Sequence, residues 1–203
     1  MRFVSHLDMT RVMSRLIRRA KLPIWYTEGF NPHPYITFAL PLSLGHESDY
    51  EVMDIRILDD NYDLSTIPEK LLAVSPEGLV FTDCFEAVKK AGAVGFSKYT
   101  VTFSDNGAIC DSLKEYLNSR PLVLSKKTKR GNQKEIDVGE NMHDLTFAKG
   151  SKTAFSVTLP AGGSLNIIPE LLINGFYEKY GQEYYCYSIK RDLILDSDMN
   201  IFR

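Results

Sequence analysis

Residues 8–21, DMTRVMSRLIRRAK, predict an amphipathic helix, and the organisation of the first half of the chain follows from it. The apolar side chains of this stretch fall together at helical spacing, and the arginines fall on the opposite side. Ser5, followed three residues later by Asp8, resembles a capping box with Asp in place of the usual Glu. The helix is therefore predicted to start between residues 5 and 7 and to end before Pro23.

The pattern on either side of this helix predicts the order strand, helix, strand, strand, helix, strand. The six predicted elements cover residues 1–4, 8–21, 35–41, 50–58, 66–74 and 78–86. This succession is the ferredoxin-like order, although its first strand is short. Residues 1–92 are accordingly predicted to form an N-terminal ferredoxin-like domain that carries the basic helix and the loop EGFNPHP at residues 28–34.

The second half of the chain gives a similar pattern. Strands are predicted at 97–104, 122–125, 135–138, 144–149, 153–159 and 183–195, and helices at 108–118 and 166–174. Residues 96–203 are interpreted as a C-terminal α+β domain, a divergent second ferredoxin-like unit, joined through the flexible sequence AGAVG at 91–95. The predicted fold class is α+β, a tandem of ferredoxin-like domains with antiparallel sheets and helices on one face.

The composition excludes several function classes. The chain of 203 residues is 44% hydrophobic and 25% charged, which is typical of a globular protein, and its formal net charge of -2 gives no bulk attraction to nucleic acid. The first forty residues nevertheless hold six basic and two acidic side chains. Neither a membrane-spanning run nor a secretion signal is present, so a cytoplasmic location without membrane contact is expected. Scattered cysteines and histidines predict no metal and no cofactor.

Several short motifs follow one another closely along the chain: SHLD, RRA, EGFNPHP and ALPLSLG fall within residues 2–54, and KRG with ID, GGSLNIIPE and KRD follow in the second half. In kind and order these motifs resemble those of a bacterial domain family of unknown function that is associated with radical SAM proteins. Members of this family are fused behind a cobalamin-binding radical SAM enzyme or encoded separately. The resemblance implies a partnership with such an enzyme, in the modification of tRNA or rRNA, and it implies no reaction for the domain itself.

The predicted basic helix provides a cationic stripe of the kind that follows a phosphate backbone. A second basic run falls at a predicted hairpin tip within residues 126–134. The candidate phosphate-binding residues are Arg11, Arg15, Arg18, Arg19, Lys129 and Arg130. A solvated helix face is the alternative, which the scarcity of acidic residues on the stripe disfavours.

The loop at residues 28–34 is the candidate recognition element, because Trp25, Tyr26 and Tyr35 beside it offer rings on which bases stack. The candidate recognition residues are Ser5, His6, Asp8, Glu28, Phe30, Asn31 and His33. In the alternative interpretation, Phe30 and Tyr35 belong to the core and the prolines only fix a turn.

Three functions remain open from the sequence. The favoured one is a noncatalytic module that binds RNA, or presents it as a substrate, to a radical SAM enzyme. The second is a subunit that docks on that enzyme without RNA, through the basic helix or the apolar run 36–44. The third is an enzyme in its own right, whose acid–base set would be His6, Asp8, Glu28 and His33; no spacing requires it.

Overall fold

The computed structural model describes residues 2–127, 131, 133–163, 165–181 and 186–203. Within these ranges the chain is a mixed α+β protein with four α-helices and nine strands. In chain order the elements are α1 (His6–Arg19), β1 (Ile36–Phe38), β2 (Glu47–Ser48), β3 (Met53–Ile55), α2 (Ile67–Leu72), β4 (Val94–Phe103), α3 (Cys110–Asn118), β5 (Val123–Lys127), β6 (Gln133–Asp137), β7 (His143–Lys149), β8 (Thr153–Pro160), α4 (Pro169–Tyr180) and β9 (Tyr187–Asp196).

The chain divides into two compact units. Unit 1 comprises residues 1–46, 51–91 and 203, and unit 2 comprises residues 47–50 and 92–202. Unit 2 therefore takes a four-residue segment from within the sequence of unit 1.

Unit 1 packs α1 and α2 against the antiparallel pair of β1 and β3. The inner face of this pair consists of apolar residues that join the core formed by α1 and α2, namely Ile36, Phe38, Met53 and Ile55. Because side chains alternate along a strand, the directly opposed Thr37 and Asp54 lie on the outer face. The amphipathic pattern of α1 is confirmed, since Met13, Leu16 and Ile17 are buried.

All four predicted strands of the first half differ from the structure. Residues 2–4 and 78–86 are not strands, and the predicted strands at 35–41 and 50–58 are regular only over β1 and β3. In the segment 78–86, the Leu79 N–H donates back to the Pro76 carbonyl (3.3 Å) and the Cys84 N–H donates to the Asp83 carboxylate (2.8 Å). These local bonds replace the ladder that a strand requires.

Unit 2 is built on a five-stranded sheet with the order β2-β9-β4-β8-β7. Both α3 and α4 pack against the buried side chains of one face of this sheet. The predicted helices and long strands of this half are confirmed, with shifted ends such as α4 beginning at Pro169 rather than 166. Residues 183–185, where the last strand was predicted to begin, lie outside the described residues. The expectation of purely antiparallel sheets is wrong, because β2 pairs with β9 in parallel. Because β2 has only two residues, it shows no alternation of apolar and polar side chains from which a strand could be predicted.

Asp105 joins the start of α3 to the start of β8 in unit 2. Its buried carboxylate accepts hydrogen bonds from the Ile109 N–H (3.0 Å) at the start of α3 and from the N–H (2.8 Å) and hydroxyl (2.6 Å) of Thr153 at the start of β8. Burial acts to raise the pKa of Asp105, but these hydrogen bonds outweigh it, so the pKa lies below its usual value. The carboxylate is thus held ionised inside the unit.

The contact between α3 and α4 is close because one residue is glycine. A methyl group on Gly175 would lie 2.3 Å from the Tyr116 hydroxyl oxygen and 2.7 Å from Leu124 Cδ2. The Tyr116 hydroxyl is buried, and no group in the described part of the chain hydrogen-bonds to it. Burial raises the pKa of Tyr116 to about 12. The pair therefore combines tight packing with an unsatisfied polar atom.

Candidate nucleic-acid interface

The start of α1 is a closed cluster of hydrogen bonds. Ser5 caps the helix: its hydroxyl accepts from the Asp8 N–H (3.1 Å) and donates to the Asp8 carboxylate (2.7 Å). Arg11 donates to the same carboxylate at 2.9 Å. The hydrogen bond from Ser5 and then the Arg11 guanidinium hold the pKa of Asp8 below its usual value. The predicted cap is confirmed, and it engages Arg11 with an acidic partner.

The four arginines of α1 have different surroundings. Arg18 lies over the Tyr26 ring, with its guanidinium carbon 5.8 Å from the ring centroid. Arg15 and Arg19 are exposed and have no hydrogen bond or ion pair with any described residue. These two flank a depression of about 280 Å³ whose floor includes Val12 and Leu16 and whose far side is formed by residues 73–76. Arg15 and Arg19 are therefore the cations of this helix that remain available to an external anion.

The loop at residues 27–34 is closed at its base and open at its tip. The Thr27 N–H donates to the His33 carbonyl at 2.9 Å, and His33 Nδ1 lies 3.0 Å from the Thr27 hydroxyl oxygen. Gly29, at φ +124°, allows the turn to fold back. This closure places Phe30 at the tip, where its side chain is fully exposed (105%).

The interpretation of Phe30 and Tyr35 as core residues is wrong. Tyr35 is 44% exposed, and neither residue belongs to the apolar cluster of unit 1. The Phe30 ring is therefore accessible to another molecule at the tip of the loop. Glu28 and Asn31 are also exposed on this loop.

A row of one cation and two aromatic rings lies beside the loop on the outer face of unit 1. The Trp25 N–H donates to the Arg56 carbonyl (2.8 Å), and the Tyr35 N–H donates to the Trp25 carbonyl (3.0 Å), so the three residues are neighbours across adjoining segments. The Trp25 and Tyr35 rings meet edge to face at 5.6 Å, and the Arg56 guanidinium lies 5.3 Å from the Trp25 ring centroid. We call Arg56, Trp25 and Tyr35 the cation–aromatic row.

Arg56 was missed by the sequence reasoning as a site residue. The alternation of residues 50–58 does place it opposite the apolar face, but alternation alone does not distinguish a binding arginine from a solvated one. Its position next to Trp25 depends on the segment 24–26, which lies between Tyr35 and Arg56 only in the folded chain.

His6 lies away from the recognition loop. Its ring meets the Phe38 ring edge to face at 5.2 Å, and it borders a pocket of about 90 Å³. The polar residues around this pocket are Arg2, His6, Ser43, His46 and Glu51. Among residues 2–91, no hydrogen bond, ion pair or ring contact joins Ser5, His6 or Asp8 to the loop at 27–34. The predicted recognition residues thus fall into two separate places.

Only part of the second predicted basic run lies among the described residues. Lys129 and Arg130 lie outside the described residues. The hairpin of β5 and β6 that leads to them is antiparallel, with Lys127 opposite Gln133. At the base of this hairpin, the Lys126 ammonium donates to the Asn166 carbonyl and is bound within unit 2.

The KRD motif of the second half has a structural role in unit 2. Lys190 pairs with Asp49 at 2.6 Å, which links β9 to the segment that carries β2, and this hydrogen bond raises the pKa of Lys190. Asp192 accepts a hydrogen bond from the Thr100 hydroxyl (2.6 Å), and the Arg191 guanidinium lies 5.8 Å from the Tyr99 ring centroid. These contacts hold the sheet of unit 2 together.

The described ranges contain neither a candidate metal site nor a candidate membrane span. No group of three or more His, Cys, Asp or Glu side chains in those ranges has the geometry to hold a metal ion. No helix found there has both the length and the apolar character that a membrane crossing requires.

Comparison with known proteins gives a family and no characterised relative. A family model described as "Uncharacterized protein conserved in bacteria (DUF2344)" matches residues 1–169. No curated protein matches the chain. The matched range includes the whole of unit 1 except residue 203, with α1, the loop and the cation–aromatic row.

Proposed function

Since the chain belongs to the bacterial family DUF2344, whose description assigns no activity, we propose from the interface itself that the protein is a noncatalytic RNA-binding accessory module. It binds single-stranded RNA in the cytoplasm and presents it to a radical SAM enzyme of the cobalamin-binding type, in the modification of tRNA or rRNA. The radical SAM partnership rests on the sequence resemblance, and the RNA contact rests on the geometry of unit 1.

The observation that carries the RNA contact is the cation–aromatic row beside the exposed Phe30. Aromatic side chains and arginine planes are the surfaces on which proteins stack unpaired bases, each stack contributing about 1–3 kcal/mol. Phe30 offers a fully exposed ring, and Tyr35 is 44% exposed. A hydrogen-bonded loop base holds Phe30 outward, so little ordering is needed when a base binds.

Arg15 and Arg19 supply the charge that an RNA backbone requires. They lack acidic partners in the described chain, and a guanidinium matches the geometry of a phosphate. Arg11 is already paired with Asp8, and Arg18 lies over Tyr26. Within the candidate stripe, we therefore assign phosphate contact to Arg15 and Arg19 first.

The division of the predicted acid–base residues favours a binding role over catalysis. His6 and Asp8 lie at the start of α1, and Glu28 and His33 lie on the loop; within residues 2–91 no hydrogen bond, ion pair or ring contact joins the two pairs. General acid–base catalysis needs its groups within hydrogen-bond reach of one substrate. The arrangement supports an accessory module that leaves the reaction to its partner.

A second candidate function is protein docking without RNA, and one observation favours it. Phe3 and Leu44 are 78% and 64% exposed, on either side of the backbone hydrogen bond from the Gly45 N–H to the Arg2 carbonyl (2.9 Å). Leu44 ends the apolar run 36–44. A tagged protein that recovers a radical SAM enzyme but no RNA from its host would favour this function over the first.

We also propose that the fold is a tandem of ferredoxin-like units. In unit 2 the succession β4, α3, β7, β8, α4, β9 with the sheet order β9-β4-β8-β7 supports this, with β5 and β6 as an inserted hairpin and β2 as an added edge. In unit 1 the succession α1, β1, β3, α2 fits the middle of the same order. An experimental structure of the chain tests it directly.

Replacing Phe30 by alanine is expected to weaken the binding of a single-stranded oligoribonucleotide about tenfold, because one base loses its stacking partner. Fluorescence anisotropy with a labelled oligomer of about ten nucleotides measures the change, since a footprint of that order is usual for such surfaces. Val88, exposed in the same unit, provides the control: Val88→Ala removes apolar surface elsewhere and should leave the affinity unchanged. Equal affinity of Phe30→Ala and the unaltered protein would contradict the stacking role.

Replacing Arg15 and Arg19 together by glutamine is expected to reduce the slope of log affinity against log salt by about 1.4, since each phosphate contact on a single strand contributes about 0.7. The same titration on Arg11→Gln is the matched control. Arg11 lies on the same helix but is paired with Asp8, so its slope should change less. An unchanged slope in the double variant would show that Arg15 and Arg19 do not contact phosphate groups.

A further inference from the structure

The outer face of unit 1 brings four polar or aromatic side chains together beside the loop. Thr37 and Asp54 are directly opposite each other in the β1–β3 register, with their side chains on the outer face. Arg56 follows Asp54 by two residues and Tyr35 precedes Thr37 by two, so all four project from the same face. The carboxylate of Asp54 therefore lies next to the cation–aromatic row.

The Asp54 carboxylate is half-buried and lacks a donor among the described residues. No hydrogen bond or ion pair to it comes from any residue in the described ranges, and burial raises its pKa above the usual value. A partly buried carboxylate that lacks donors is unfavourable, and a ligand that brings N–H groups relieves this. The face thus offers an acceptor with two oxygens beside rings suited to stacking.

Among the four RNA bases, guanine matches this acceptor best. Its Watson–Crick edge has two adjacent donors, N1–H and N2–H₂, which fit the two oxygens of one carboxylate. Adenine and cytosine each place a ring acceptor beside their amino group, and uracil places carbonyls on both sides of its N–H. A carboxylate therefore repels part of the edge of each of the other three bases.

Arg56 adds a second contact of the same specificity. Guanine carries two acceptors, O6 and N7, on the edge adjoining its N1–H, and arginine is the usual donor to this pair. Because Arg56 and Asp54 are two residues apart on one face, a base stacked on the aromatic rings of the row can meet Arg56 as a donor and Asp54 as an acceptor. This combination of partners is complementary to guanine.

We infer that the RNA segment bound by unit 1 contains an unpaired guanine, stacked on the aromatic rings of the cation–aromatic row, with its Watson–Crick edge on Asp54 and its O6 and N7 side on Arg56. The inference rests on the proposed RNA-binding function and names the substrate class for that site: a single-stranded RNA segment with an accessible guanosine.

The test is anisotropy with labelled uridine oligomers that differ only at one central base. We expect an oligomer with guanosine to bind about tenfold more tightly than one with inosine, which lacks the N2 amino group and so one charge-assisted hydrogen bond. Oligomers with adenosine or cytidine should bind more weakly than that with guanosine. In Asp54→Asn the preference for guanosine over inosine should disappear, while affinity for the all-uridine oligomer stays within about twofold.

Asp60→Asn is the matched control, because Asp60 is an exposed carboxylate of the same unit. It should keep the full guanosine preference, and thermal unfolding of both variants verifies folding. Equal affinity for guanosine and inosine, or a cytidine preference, would overturn the guanine inference while RNA binding stands. If no oligomer binds the unaltered protein, the proposed function itself fails.

Discussion

Replacement of Asp105 by alanine is expected to lower the free energy of unfolding by about 3–5 kcal/mol, the largest effect predicted for a single side chain here. The change removes the acceptor of three hydrogen bonds and leaves two buried N–H groups, those of Ile109 and Thr153, without it. Hydrogen bonds to a charged group contribute about 1.5–3 kcal/mol each. Urea unfolding followed by circular dichroism measures the loss, and Asp198→Ala, at an exposed position, should change stability by less than about 0.5 kcal/mol.

The stabilisation by Asp105 should also depend on pH. Its pKa is lower in the folded state than in the unfolded chain, so the contribution is fully present above the unfolded value of about 3.9. As the pH falls below about 4 and through the folded pKa, the carboxylate is protonated and the contribution is lost. The difference between the unaltered protein and Asp105→Ala should therefore be constant near neutral pH and shrink in acid. A difference that grows in acid would contradict this account.

Replacement of Gly175 by alanine is expected to destabilise the protein by about 2–3 kcal/mol, although alanine favours a helix by about 1 kcal/mol over glycine. The added methyl would lie 2.3 Å from the Tyr116 hydroxyl oxygen, which is far inside van der Waals contact. Gly163→Ala is the control, because a methyl there meets no atom within 4 Å. Thermal and urea unfolding of the three proteins measure the effect.

The double variant Gly175→Ala with Tyr116→Phe tests whether the clash with the Tyr116 hydroxyl causes the loss of stability. Phenylalanine lacks the hydroxyl oxygen that the new methyl would meet, so the double variant should recover at least about 1 kcal/mol of the loss. Tyr116→Phe alone should be neutral or slightly stabilising, since the hydroxyl has no hydrogen-bond partner in the described structure. If the two substitutions are simply additive, the clash with Tyr116 is not the source of the instability.

The sequence predicted those elements whose causes are local. The helix α1, predicted at residues 8–21, is found at His6–Arg19. It could be predicted because both its apolar period and its Ser5 cap depend only on residues close together in the sequence. The hairpins and helices of unit 2 follow the same rule, with ends displaced by a few residues. The exposure of the basic stripe on α1 also follows from its period.

The features that the sequence did not predict depend on contacts between distant residues. The residue pattern at 78–86 predicts a strand, but a strand also needs a neighbouring strand to pair with. In the structure, residues of this segment form local hydrogen bonds instead. Likewise, the position of Arg56 beside Trp25 distinguishes it from other arginines that look alike in the sequence, and this position depends on a contact between residues 31 positions apart. The proximity of Asp54 to these rings arises only from the register of β1 and β3.

The parallel pairing of β2 with β9 also has a consequence for how the protein is made. Ser48 and Arg191, which face each other in this pair, are 143 positions apart in the chain. A ribosome adds about 5–20 residues per second, so β2 leaves the exit tunnel on the order of ten seconds before β9 is synthesised. Completion of this sheet therefore waits for the synthesis of β9, and Glu47–Ser48 lacks its partner strand in every nascent chain until then.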